Sequence, residues 1–117
     1  MGINWYNCNI SGELDFSAFE TLTVLNCSAN NISNLNVTNC SSLTTLYCDT
    51  TSLNSLDVSN CSSLTKLDCY YTLKLNSLNV SNCSSLTKLD CSDNNLSSLD
   101  VTDCSSLTYL NCRANNL

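Results

Sequence analysis

The sequence predicts a β-rich solenoid of parallel strands with about five coils, and three observations carry that prediction. A 21-residue block, Leu46 to Lys66 (LYCDTTSLNSLDVSNCSSLTK), returns along most of the chain. Its leucines keep phase: Leu22, Leu43, Leu64, Leu86 and Leu107 are spaced by 21, 21, 22 and 21 residues. Short segments inside each block alternate, so that in Lys66-Leu67-Asp68-Cys69-Tyr70 the Leu and Cys share one side and Lys, Asp and Tyr the other. A unit repeated at such a period cannot bury its apolar side alone and must stack on its own copies. Stability then adds up coil by coil.

The elements follow in chain order. Residues 1–21 read as an N-terminal capping coil made from a worn repeat, in which Ile3, Trp5, Cys8 and Ile10 stand where Leu25, Cys27, Asn30 and Ile32 stand one coil later. Phe16 and Phe19 replace Val58 and Cys61 of the regular block, and terminal coils of solenoids are characteristically atypical. Residues 22–117 are the regular repeats. First-strand segments are centred on Leu25, Leu46, Leu67, Leu89 and Leu110; half a period later Leu35-x-Val37, Leu56-x-Val58, Leu78-x-Val80 and Leu99-x-Val101 predict a second extended segment per coil. The extra residue of the longer spacing falls between Cys69 and Leu75, where the coil must bulge. With no proline and only Gly2 and Gly12, turns rest on Asn, Asp and Ser, which bond their own backbone.

Cysteine usage follows the same columns. Cys27, Cys48, Cys69, Cys91 and Cys112 occupy one phase, and Cys40, Cys61, Cys83 and Cys104 another. Neighbours in a column would lie about 4.8 Å apart, yet parallel side chains are poorly aimed for bridging. The expected state is a set of buried free thiols acting as small hydrophobes, which implies a reducing compartment or an anaerobic source. With no Cys-x-x-Cys and no histidine, a metal use of either column has little to stand on.

Read from Leu86, the stretch L-T-K-L-D-C-S-D-N-N-L resembles the leucine-rich repeat signature, with Cys91 in the third leucine place and Asn94 as the ladder asparagine. The following Leu99-Asp100-Val101 resembles the bacterial subclass with a second L-D-L segment nested in the repeat. That resemblance implies a right-handed solenoid, a concave strand face that meets ligands, and a bacterial surface or secreted setting; a cytoplasmic one follows if the thiols need reducing conditions. Thr51 and Thr72 stand where Asn30, Asn94 and Asn115 keep the ladder, so the ladder should be interrupted there. The chain stops at Leu117 part-way round a coil, read as a shortened protein or as an open edge on which another copy stacks.

Composition narrows the function. Net charge is -6 with four basic residues, too few to track a phosphate backbone, so nucleic acid is an unsuitable partner. No run reaches the ~18 apolar residues of a membrane span, and no leader pattern opens the chain. Catalysis has no histidine, no Gly-x-Ser-x-Gly turn and no phosphate loop to work with, so the expectation is a non-enzyme without cofactor or metal. Lys66 and Lys88, beside Asp68 and Asp90, are expected to pair across coils.

The informative contrast is internal. Whereas Leu-Asp-Val-Ser-Asn-Cys-Ser-Ser-Leu-Thr barely changes between copies, the outward positions of the first strand do change. They supply the candidate binding set Tyr47, Asp49, Asp68, Tyr70, Tyr71, Asp90, Tyr109, Asn111 and Arg113. Tyr and Arg anchor interfaces while small polar groups adapt. The expected function is recognition of a protein or glycan; the rival is a structural block that forms homo-oligomers through its terminal coils.

Overall fold

The computed structural model describes residues 1–117. It contains ten strands and no helix: β1 (Gly2–Asn4), β2 (Ser11–Asp15), β3 (Val24–Asn26), β4 (Asn31–Asn36), β5 (Thr45–Tyr47), β6 (Ser55–Asp57), β7 (Lys66–Asp68), β8 (Ser77–Asn79), β9 (Lys88–Asp90) and β10 (Tyr109–Asn111). Six of them make one parallel sheet in the order β1-β3-β5-β7-β9-β10. Its register puts Ile3, Leu25, Leu46, Leu67, Leu89 and Leu110 in line. The molecule is therefore a β-solenoid, and the segment 1–21 joins it through β1 and β2.

Strands this short need a precise stop at each end, and side-chain amides and carboxylates provide it. Oδ1 of Asp15, Asn36, Asp57, Asn79 and Asp100 accepts the backbone N–H two residues on, closing the back of each coil. Asn26, Asp90 and Asn111 do the same at the end of the front strand. One residue per coil then turns through the left-handed region: Asn7, Ala29, Thr50, Tyr71, Asp93 and Ala114 all have φ between 50° and 56°. For Thr50 and Tyr71 that conformation is costly, and the surrounding ladder holds it.

The back of the stack departs from expectation. Only two strand pairs form there, β2 with β4 and β6 with β8. Leu99–Val101 keeps its phase but forms no strand, and β4 and β6 are not bonded to each other.

Inside, 26 buried apolar residues form one core. Leucines from every coil from Leu22 to Leu96 have no solvent exposure, and eight of the ten thiols are buried with them. All ten cysteines are free. Those at the back turn add a weak donor: Sγ–H of Cys40, Cys61, Cys83 and Cys104 points at the carbonyls of Phe16, Val37, Val58 and Val80 one coil earlier, at 3.3–3.6 Å. A valine of similar size would leave that contact unmade. The worn first coil is covered by aromatics, with Trp5 and Phe19 on either side of the buried Phe16 at centroid distances of 5.6 and 5.4 Å.

Two cysteines stand apart from the buried set. Cys8 is exposed and Cys112 half-buried. With a colourimetric thiol reagent on the native protein, Cys8 should react at once, Cys112 more slowly, and the other eight only after denaturant. Prompt reaction of more than two would mean that the interior is wet.

Candidate recognition face

The outward side of the six-stranded sheet is a grid of three columns. Register places Gly2, Val24, Thr45, Lys66, Lys88 and Tyr109 in the first, and Asn4, Asn26, Tyr47, Asp68, Asp90 and Asn111 in the second. Two residues further on, the repeat puts Ser28, Asp49, Tyr70, Ser92 and Arg113 in the third.

Charges on this grid are organised within coils. Lys66 Nζ lies 3.5 Å from Asp68 Oδ2 of the same strand, donates to the Tyr47 hydroxyl at 3.1 Å, and stands 4.7 Å from that ring's centroid. Lys88 pairs with no carboxylate and sits over the Tyr109 ring at 5.2 Å. The expected Lys-to-Asp pairing across coils is thus corrected: register sets Lys66 beside Lys88 and Asp68 beside Asp90, so the carboxylate of the next coil lies on the diagonal, about 8 Å away, while the one two positions along the strand points the same way at about 6.6 Å, and tyrosines compete for the ammonium. Arg113, well exposed, approaches the half-buried Asp93 at 3.7 Å, a contact worth little by itself.

Exposure also needs correction. Asp68, expected to face water, is 9% exposed, and Ser28 and Ser92 in the third column are buried. Long neighbours cover short side chains on a closely spaced sheet. Asp68 Oδ1 is left out of water with no hydrogen-bond donor. Tyr70, Tyr71 and Tyr109 are exposed, while Tyr47, Asp49, Asp90 and Asn111 are partly covered.

Asp49 and Asp90 are held by neutral donors. The Ser28 hydroxyl donates to Asp49. Asp90 takes the N–H and hydroxyl of Ser92 on Oδ1 and the Asn111 amide on Oδ2. Tyr70 stands among these carboxylates. The charge of Asp49, partial burial, a hydrogen bond to Asp49 and the charges of Asp68 and Asp90 hold its phenol above the ordinary range.

Five of the nine predicted residues come together. Tyr70, Tyr71, Asp90, Asn111 and Arg113 line an open depression of about 540 Å³, completed by Thr50, Ser92 and Asp93. Tyr47, Asp49, Asp68 and Tyr109 lie outside its lining. Sequence reasoning missed Thr50 and Asp93 because they belong to the left-handed corner, whose phase is legible but whose direction is not.

Tyr71 borders a second recess, about 510 Å³, around the corner from the sheet, with Asn31, Thr51, Ser52, Leu73 and Lys74 among its walls. It arises where the extra residue makes a turn closed by the Leu75 N–H on the Thr72 carbonyl. Thr51 and Thr72 lie here, and their hydroxyls reach only carbonyls of their own coil, Cys48 and then Cys69 and Tyr70. Asn30, Asn94 and Asn115 by contrast donate both within the coil and to the one before it. The ladder is interrupted at both threonines, as expected from sequence.

No set of three or more His, Cys, Asp or Glu is placed to hold a metal ion, and no helix is long and apolar enough to cross a membrane.

No protein-family model matches the chain, and no curated protein matches it. Among solved structures it is similar to the functional domain of InlJ from Listeria monocytogenes, described as including a cysteine ladder, with a TM-score of 0.84 and 40% identity over 89% of this chain. That match covers 23% of the InlJ chain, so the present chain spans about a quarter of its length.

Proposed function

This chain is a leucine-rich repeat protein, and on that premise we propose that it is a non-enzymatic binding module that recognises a protein, or a glycan, through the outward face of its six-stranded sheet. The observation that carries this is the concentration of sequence variety on that face and the corner beside it, against a nearly constant back. The back is copied almost unchanged from coil to coil, while the three front columns and the corner that follows them vary, no two coils presenting the same front set, with tyrosines at the surface. Tyrosine brings large contact area at small entropy cost, and the neighbouring Asp, Asn and Arg supply directional bonds. Buried thiols do not contribute chemistry, because burial pushes Cys27 and Cys91 up to about 12 and Cys48 and Cys69 well above the ordinary thiol range, leaving them protonated and unreactive.

Replacing Tyr47, Tyr70 and Tyr109 together with Ala tests the reading. On protein and glycan arrays the triple variant should lose what the unchanged chain retains, by about tenfold or more in affinity, with the same circular dichroism. Unaltered retention would move the site elsewhere. Growth of scattering mass with concentration, unaffected by the triple change, would favour association through the terminal coils instead.

A further inference from the structure

The bulged coil breaks the repeat at a cost to the fold. Asn9, Asn31, Ser52, Asn95 and Asn116 each stand alone between the ladder position and the next Leu or Ile, where the bulge has Leu73 and Lys74 together. The N–H groups of Asn31, Ser52, Asn95 and Asn116 donate to the coil before; neither Leu73 nor Lys74 does so, and the Leu53 carbonyl receives no backbone bond. Side-chain links join Ser52 to Asn31 and Asn116 to Asn95, and the bulge falls between the two pairs. Leu73 is 64% exposed, more than any other leucine, and Tyr71 takes the left-handed conformation with its side chain exposed. A local rule broken at such cost, by large side chains that gain no burial, is the mark of a functional segment.

What the bulge creates is the corner recess of about 510 Å³, to which it contributes Tyr71, Leu73 and Lys74. The three earlier coils supply the rest, and from Asn9 through Asn31 to Ser52 the lining covers two coil steps, ~10 Å. The chain carries ten carboxylate side chains and none of them lines the recess, where Lys74 is the one formal charge. Only three of the eleven lining residues are apolar, too few for the row of anchors that a peptide groove needs. Amides and hydroxyls each donate and accept hydrogen bonds, which suits a ligand whose own groups do both. The exposed phenol ring beside them adds a flat apolar surface.

From these observations we infer that the recess is a second binding site, for an uncharged oligosaccharide, with one sugar ring on Tyr71 and its hydroxyls on the side chains of Asn9, Asn31 and Ser52. It goes beyond the recognition reading, which concerns the sheet, and shares only Tyr71 with the nine candidate residues.

The probes are maltotriose, cellotriose, mannotriose and tri-N-acetylchitotriose, each titrated into the full chain to about 10 mM and followed by amide NMR shifts. At least one should bind, moving the amides of Asn9, Asn31, Ser52 and Leu73. Tyr71→Asn keeps a residue at ease in the left-handed region, and Leu73-Lys74→Asn restores the regular period; each should weaken that binding about tenfold or more. Tyr71→Phe keeps the ring and should stay within about twofold, as should the triple alanine variant of Tyr47, Tyr70 and Tyr109. Restoring the period should also raise the melting temperature, because the Leu53 carbonyl regains a donor, so loss of the site is read apart from loss of the fold.

Failure of all four sugars, or undiminished binding once the period is restored, overturns the proposal. Binding confined to an acidic sugar such as trigalacturonic acid would give Lys74 the leading part and overturn the uncharged class. Shifts centred on the sheet and lost in the triple variant would sink the recess and leave the recognition face standing. If the sugars bind as expected while the triple variant loses no array partner, the recess stands and the face falls.

Discussion

Between about pH 9 and 11 the protein is expected to unfold in one cooperative step. A thiol in the unfolded chain loses its proton near 9.0, whereas burial pushes Cys27, Cys61 and Cys91 up to about 12 and Cys48 and Cys69 well above the ordinary range. Above the lower value the folded chain therefore binds more protons than the unfolded one. Stability is intact below that pH and falls as pH rises. Each such thiol contributes about 1.4 kcal/mol per pH unit, so these five together remove about 7 kcal/mol per unit. Domains hold only about 5–15 kcal/mol in total, so a unit or two suffices.

Circular dichroism and thiolate absorbance should change together. Cys69→Ala should make the transition shallower by about one proton. Ionisation of the thiols with the dichroism unchanged would show that they are wetted in the folded chain, and the dry interior would have to be abandoned.

The second large effect concerns the asparagine ladder. Asn30 is 6% exposed; its amide donates to the carbonyls of Trp5, Cys27 and Ser28, and its Oδ1 accepts from the N–H groups of Cys8 and Ile10. Asn30→Ala strands these groups at once, and a loss of about 3 kcal/mol or more is expected from urea titration. The reverse change should stabilise. Leu53 has no solvent exposure and its N–H finds no acceptor in the chain, since Thr72 stands where an asparagine would reach back. In Thr72→Asn the new Oδ1 would take that N–H, as Asn115 takes Leu96, for a gain of about 1 kcal/mol. A neutral or destabilising result would mean that the loop around Leu73 has reshaped the corner.

How much of this was legible in the sequence follows from what periodicity can carry. Phase alone told which leucines and thiols point inward, where the ladder would fail at Thr51 and Thr72, and where the extra residue would bulge. It could not tell that Asp68 is covered, because that depends on how the long side chains of its neighbours lie over it. Nor could it tell that Lys66 turns along its own strand to Asp68 and sideways to Tyr47, since a lysine is long enough to reach either way and the repeat does not record its rotamer. Which rear segments bond to one another is likewise absent from the repeat, since Leu35, Leu56, Leu78 and Leu99 share one phase yet only some of their segments pair. For the candidate face, the sequence named the residues that vary, and only coordinates showed which five of them share one hollow.

The stack is not stitched evenly. At the junction between the β3–β4 coil and the β5–β6 coil, the rear strands do not pair and Thr51 supplies no amide to reach back, so the front ladder, one backbone bond from the Ser52 N–H to the Ile32 carbonyl and a few side-chain links such as Ser52 to Asn31 are left to hold it. Chains of weakly coupled units part at their poorest joint. Pulled from its ends or warmed, this one has a fracture plane there, on which the aromatic-covered coils would swing away together and leave all nine candidate residues on the other fragment.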